Sequence, residues 1–280
     1  MSNMKKIALV AVSTVLLFGS CAKEFNSVYK SSDYRYKYEY AKESFALGRY
    51  QRASTLLQEL IIPEKGSQDA QECLYMLGMA EYLSRDYETA SETFKKYVKS
   101  YPRGQYAEEA EYYVGQSLFM STPEPRLDQT QTVAAISAFQ EYLDLYPDAR
   151  YKDQAQNKLF QLQDKLVDKE LYSAELYYNL GSYFGNCTNG GNNYEACIVT
   201  AQNAIKDYPY TKTREQFATL IMKSKYHLAE QSVESKKLER YQDAEEECYG
   251  FINEYPDSKE RKTAEEFIQK CKKITANAQD

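Results

Sequence analysis

Apolar and small residues recur along this chain at spacings of three and four, the period of an α-helix that buries one face. The recurrence is keyed to four Tyr-Pro dipeptides: Tyr101-Pro102, Tyr146-Pro147, Tyr208-Pro209 and Tyr255-Pro256. Fifteen residues before each proline lie Tyr87, Thr132, Tyr194 and Tyr241, and twelve before lie Ala90, Ala135, Cys197 and Ala244. Eight before lie Phe94, Phe139, Ala201 and Cys248, and five before lie Tyr97, Tyr142, Ala204 and Phe251. A small residue followed by bulky ones at these intervals is one helix face. Proline then stops the helix, because it cannot continue the hydrogen-bond ladder and it drives the preceding residue out of helical backbone.

Each of these helices has a partner upstream, marked by Tyr38-x-x-Ala41, Tyr75-x-x-Gly78, Tyr112-x-x-Gly115, Tyr178-x-x-Gly181 and Tyr226-x-x-Ala229. A small residue in mid-helix lets the second helix of the pair approach closely. Five helix pairs of tetratricopeptide type are predicted, at about 34–66, 71–104, 108–148, 174–210 and 222–257. The fold class expected is therefore all-α, an α-solenoid of about five tetratricopeptide-type helix pairs in two blocks. Within the third pair, residues 121–128 carry Pro123 and Pro125 and are expected to form a loop, with Asp128 as the N-cap of the next helix. From Tyr151 to Ser173 the stripe Ala155, Leu159, Leu162, Leu166, Val167 and Leu171 predicts a long connecting helix. The expected organisation is a first block over 34–165 (repeats one to three) and a second over 166–275, with a closing helix from Glu260 to Thr275.

The first twenty residues read differently. Lys5 and Lys6 precede an apolar run from Ile7 to Phe18, too short for a comfortable membrane span but of signal-peptide length. It ends in Gly19-Ser20-Cys21, which looks like a lipobox. Residues 1–20 are expected to be a lipoprotein signal peptide, Cys21 the lipidated residue, and 21–33 a linker. Several acyl chains anchor durably where one does not, since each buried methylene contributes about 0.8 kcal/mol.

Net charge over the chain is −6. An acidic chain has no electrostatic reason to seek nucleic acid. Tyrosine is abundant, at 28 residues, and suits half-buried faces because it combines a large apolar ring with a polar tip. Cysteine has two readings at the loop between Cys187 and Cys197: a disulfide across it, or a Cys197 that fills the small core position of its repeat. No motif for a serine hydrolase, a phosphate-binding loop or a zinc protease occurs, and one histidine, His227, forbids a two-histidine metal site. The chain is expected to be no enzyme, with no cofactor and no metal. The acidic runs Glu108-Glu109 and Glu245-Glu246-Glu247 are expected to be solvated helix faces, and His227 to be a surface or packing residue.

Taken together, the lipobox, five repeats, the insertion in the third and the long linking helix resemble the BamD family, lipoproteins of outer-membrane β-barrel assembly. The stretch that carries the resemblance best runs from Asp128 through Ala134-Ala135-x-x-x-Phe139 to Tyr146-Pro147-x-x-x-Tyr151, followed by Ala174-Glu175-x-Tyr177-Tyr178. The resemblance implies a periplasm-facing scaffold anchored by lipid in the outer membrane. Its implied partners are a BamA-type β-barrel insertase at the C-terminal repeats and unfolded outer-membrane proteins at the N-terminal ones. The first helices of the N-terminal pairs would line a peptide groove. It would be built from Tyr38, Lys42 and Phe45, then Tyr75, Met79 and Tyr82, then Tyr112, Gln116 and Phe119. The tyrosines of that set recur in every repeat and so have a second reading, as packing between helices. An alternative function is a tetratricopeptide-repeat lipoprotein adaptor in cell-envelope coordination or in glycan uptake; against glycan uptake the absence of tryptophan counts.

Overall fold

The computed structural model describes residues 23–183 and 192–277. Cys21, the expected signal peptide and Cys187 lie outside the described residues. Within them the chain is helical throughout, with no strand. A helical stretch over 23–29 comes first and docks through Val28, which is fully buried, so part of the expected linker is folded against the first pair. The helices that follow are α1 (Tyr34–Ala46), α2 (Tyr50–Leu60), α3 (Ala70–Leu83), α4 (Tyr87–Ser100), α5 (Ala107–Ser121) and α6 (Thr130–Leu145). They continue with α7 (Lys152–Leu180), α8 (Asn193–Asp207), α9 (Arg214–Glu230), α10 (Glu234–Glu254) and α11 (Arg261–Asn277). Packing is between neighbours in sequence: α1 on α2, α2 on α3, and so on through α6, then α8 on α9, α9 on α10 and α10 on α11. That is the signature of a repeat architecture, in which each unit stabilises only the next.

The Tyr-Pro signal acts as expected. Helices α4, α6, α8 and α10 each end one residue before the tyrosine, and Tyr101, Tyr146, Tyr208 and Tyr255 take the C-cap position with φ near −130° and ψ near 65°. Proline forces this residue out of the helical basin. At the other ends, the Asp33 side chain accepts a hydrogen bond from the Tyr36 backbone N–H at 3.0 Å. The Asn192 side chain does the same for Tyr194 at 2.8 Å. Each satisfies an orphan donor of a first turn. Helix α6 departs from expectation. It is capped at Gln129 rather than Asp128, and the buried Gln129 amide oxygen accepts the Thr132 hydroxyl at 2.7 Å.

The chain divides into two compact units. The first comprises residues up to Pro123 together with Gln129–Leu162; the second comprises Glu124–Asp128 and everything from Gln163 onward. Helix α7 contributes its first part to one and the remainder to the other. In the first unit, α1, α2 and α3 bury Tyr38, Leu56, Leu57, Leu60, Cys73 and Leu77 together. A second cluster holds Phe94, Tyr97, Tyr112, Phe139, Tyr142 and Leu162. Gly78 and Gly115 explain how the pairs close. A Cβ on Gly78 would meet the Phe94 ring at 2.8 Å, and one on Gly115 would meet Phe139 at 2.8 Å. In the second unit, Val167, Leu171, Cys197 and Phe217 share one cluster, and Tyr226, Tyr241, Cys248, Phe267 and Cys271 another. Cys197 is a free thiol, fully buried at the small position of its repeat. Gly181 behaves unlike the other small residues. It lies just beyond the end of α7 with φ +48°, a left-handed turn where the Tyr194 hydroxyl sits 2.6 Å from where a Cβ would be. It ends a helix rather than thinning one.

Candidate functional site

The nine residues expected to line a groove sit on the first helices of the three N-terminal pairs: α1, α3 and α5. They divide by burial. Tyr38, Tyr112 and Gln116 are buried, whereas Lys42, Phe45, Tyr75, Met79, Tyr82 and Phe119 remain partly open. Tyr38 keeps only 1% of its surface and sits under Lys42, whose ammonium is 4.6 Å from the ring centre. Lys42 is also 3.0 Å from Glu39 Oε1. Phe45 meets Tyr50 edge-on at 5.5 Å.

The next two columns share a construction. Tyr75 stacks on Tyr106 with centroids 4.3 Å apart and planes within 9°. Tyr112 stacks on Tyr151 at 4.4 Å and 20°. Tyr106 and Tyr151 each stand immediately before the first helix of the next step, α5 and α7. The second-helix tyrosines complete the joint. The Tyr97 hydroxyl accepts the backbone N–H of Tyr106 at 3.2 Å, and the Tyr142 hydroxyl accepts that of Tyr151 at 3.2 Å. Burial pushes these phenols up, Tyr142 to about 12. A buried ring with a hydroxyl that caps the following helix uses both halves of the tyrosine side chain.

Helix α5 carries the polar part. Gln116 donates from Nε2 to the Tyr82 hydroxyl at 2.9 Å, linking α5 to α3, and accepts the Tyr112 hydroxyl at 3.5 Å. Phe119 lies under Lys158, whose ammonium is 4.0 Å from the ring centre and whose pKa burial lowers. The acidic run Glu108-Glu109 is not a solvated face. Glu108 Oε1 accepts the Arg150 backbone N–H at 2.9 Å, and Glu109 Oε1 accepts the Tyr151 hydroxyl at 3.0 Å. Gln71, one repeat earlier, accepts the Gln105 backbone N–H in the same way at 3.4 Å. Sequence reasoning passed over Tyr106, Tyr151 and these acceptors as working parts. The signal for the tyrosine pair was present in Tyr146-Pro147-x-x-x-Tyr151, where the second tyrosine follows the turn.

In the second unit, the cations of α9 are already engaged. Arg214 is 3.0 Å from Glu254, and Lys223 is 2.8 Å from Glu260. Lys225 reaches Asp243 at 2.9 Å and Glu247 at 2.7 Å. His227 stacks on Tyr194 at 5.4 Å and shares a hydrogen bond with Glu230 at 2.9 Å, which uses it in packing. Among the described residues no group of His, Cys, Asp or Glu is arranged to hold a metal ion. No described helix is long and apolar enough to cross a membrane.

The fold is that of a tetratricopeptide-type repeat protein. The YfiO family of outer membrane lipoproteins matches residues 31–191, more than half of the chain, and the chain belongs to that family. A curated relative, the outer membrane protein assembly factor BamD of Caulobacter vibrioides, is 24% identical over 173 residues, covering 62% of this chain and 56% of its own length. The chain thus spans little more than half of that relative. Among solved structures, the TPR2AB-domain:pHSP90 complex of yeast Sti1 aligns over 86% of this chain and 99% of its own, with a TM-score of 0.39 and 13% identity.

Proposed function

We propose that the protein is a non-enzymatic scaffold lipoprotein of outer-membrane β-barrel protein assembly. It is held in the outer membrane by acyl chains on Cys21 and faces the periplasm. The single observation that carries this reading is membership of the outer membrane lipoprotein family over residues 31–191. In this reading the second unit docks a BamA-type β-barrel insertase, and the first unit receives the C-terminal segment of unfolded outer-membrane proteins. The open residues Lys42, Phe45, Tyr75, Met79, Tyr82 and Phe119 are the proposed contacts, and the buried Tyr38, Tyr112 and Gln116 hold them in place. Aromatic rings with one free face suit a peptide that ends in an aromatic residue.

Affinity purification from native membranes tests the assignment. A barrel-type insertase and outer-membrane protein chains are expected in the eluate; their absence overturns it. The client site is tested by binding of a C-terminal outer-membrane-protein peptide. Lys42→Glu combined with Met79→Glu is expected to weaken binding at unchanged thermal unfolding. Unaltered binding moves the client site elsewhere.

A further inference from the structure

On the side of the first unit formed by its second helices, a cleft of about 450 Å³ opens between α4, α5 and α6. Its apolar lining includes Val98, Val114 and Leu118. At its charged positions stand Lys95 and Lys99 on α4, Glu141 on α6 and Glu111 on α5. This cleft shares no residue with the nine on α1, α3 and α5 assigned to peptide clients.

Glu111 is the anomaly. It keeps only 5% of its surface. Unlike Glu108 and Glu109 on the same helix, it has neither a hydrogen bond nor an ion pair among the described residues. The pressures on it are burial and the like charge of Glu141, which together push its carboxyl up to about 7. Neither lysine offsets them; Lys95 is paired with Glu92 at 2.7 Å. The charged and titratable groups around Glu111 are the two lysines of α4, Glu141 of α6, and Tyr146 at the end of α6, whose phenol is pushed up by burial first and by the charge of Glu111 second. A buried carboxylate costs free energy unless something pairs with it. An open, partly apolar cleft that leads to such a group has the shape of a receptor.

We propose that this cleft is a docking site for a protein partner, receiving one lysine or arginine side chain whose aliphatic stem lies along Val98, Val114 and Leu118 and whose cation pairs with Glu111. Glu141 adds attraction for the same cation. Lys95 and Lys99 disfavour polycationic segments, so the cation is a single one, flanked by neutral or acidic residues. An amphiphilic side chain of this kind buries its stem against apolar surface while its head finds a carboxylate. The site recognises chemistry distinct from an aromatic-ended client. It allows a second partner to be held while the client face is occupied.

The probe is the peptide acetyl-leucyl-arginyl-glutamyl-leucine amide, with citrulline in place of arginine as its neutral isostere. The full chain is titrated from pH 5 to 9 while the Glu111 carboxyl carbon is followed by NMR, assigned by its loss in Glu111→Gln. The arginine peptide is expected to bind more tightly as pH rises through 7 and to lower the Glu111 midpoint by about 1–3 units, the effect of an opposite charge at contact distance. The citrulline peptide is expected to do neither, and Glu111→Gln to weaken arginine-peptide binding about tenfold, the loss of a charge-assisted contact. Equal binding of both peptides, an unmoved Glu111 midpoint, or full binding by a cooperatively melting Glu111→Gln protein overturns the proposal. Failure of barrel co-purification bears on the assembly reading alone and leaves this test untouched.

Discussion

A tyrosine is useful to this molecule because it has two ends. Tyr97 and Tyr142 put their rings in the core and their hydroxyls on the backbone N–H of the residue that opens the next step. Tyr97→Phe is therefore expected to lower stability by about 1–2 kcal/mol, since a donor is left without its acceptor while the ring still packs. Denaturant unfolding measures it. Two glycines give opposite outcomes. Gly78→Ala drives a methyl against the Phe94 ring at 2.8 Å and is expected to cost about 1–3 kcal/mol. Gly250→Ala, inside α10 toward its C-terminal end with nothing within 4 Å, is expected to stabilise by about 1 kcal/mol. Glu111 sets a pH dependence. Its carboxyl moves from 4.5 to about 7 on folding, so the folded chain holds an extra proton between those values. The contribution of this one group to stability is fully present below pH 4.5, falls as pH rises toward 7, and by pH 8 roughly 3 kcal/mol of it is gone. Glu111→Gln is expected to remove this slope and to melt higher than the parent above pH 7. A variant that melts lower at pH 8 contradicts it. The positions of Tyr97 and Tyr142, five residues before proline, were readable as core. Their hydroxyl partners were not, because each lies in the following repeat, and neither was the isolation of Glu111, which depends on what surrounds it from α4 and α6.

At the level of elements, helix existence was legible because each pair repeats the same small-bulky-bulky face and the same Tyr-Pro stop. Boundaries failed where one sequence signal has two structural uses. Gly181 occupies the slot of Gly78 and Gly115 in the pattern, yet it takes a positive φ and terminates α7. A helix that has already run 29 residues has satisfied its packing, and glycine then serves the turn instead. Helix α7 belongs to both units, with Ala155 and Leu162 in the core of the first and Val167, Leu171 and Ala174 in that of the second. A chain ending at residue 165 therefore keeps every α7 residue of the first core. It is expected to unfold cooperatively, as judged by circular dichroism, and to lose the insertase proposed for the second unit. Retained co-purification by the truncated chain would place that partner on the first unit.

For the whole molecule, function rested on a resemblance carried by residues 128–178, and family membership over 31–191 bears out that part of the reading. The groove was less legible. Periodicity placed Tyr38 and Tyr112 on the same stripe as Tyr75, but it does not say which side of a helix another helix will cover. The anchor is tested by replacing Cys21 with Ser and fractionating cells. Loss from the membrane pellet is expected, and an unchanged distribution would refute lipidation as the anchor. Packing of each step on the steps beside it has a further consequence. Cys73, Cys197, Cys248 and Cys271 are four free thiols, each fully buried in a different helix, and burial pushes Cys271 up to about 11. Such thiols react only when their helix opens. They are a set of built-in clocks, each timing the opening of its own step. In the second unit, α11 is the last described helix, packed on α10 and, through Phe267, on Tyr226 of α9, so iodoacetamide is expected to label Cys271 before Cys197 under native conditions. The ratio of those rates gives the strength with which one repeat holds the next.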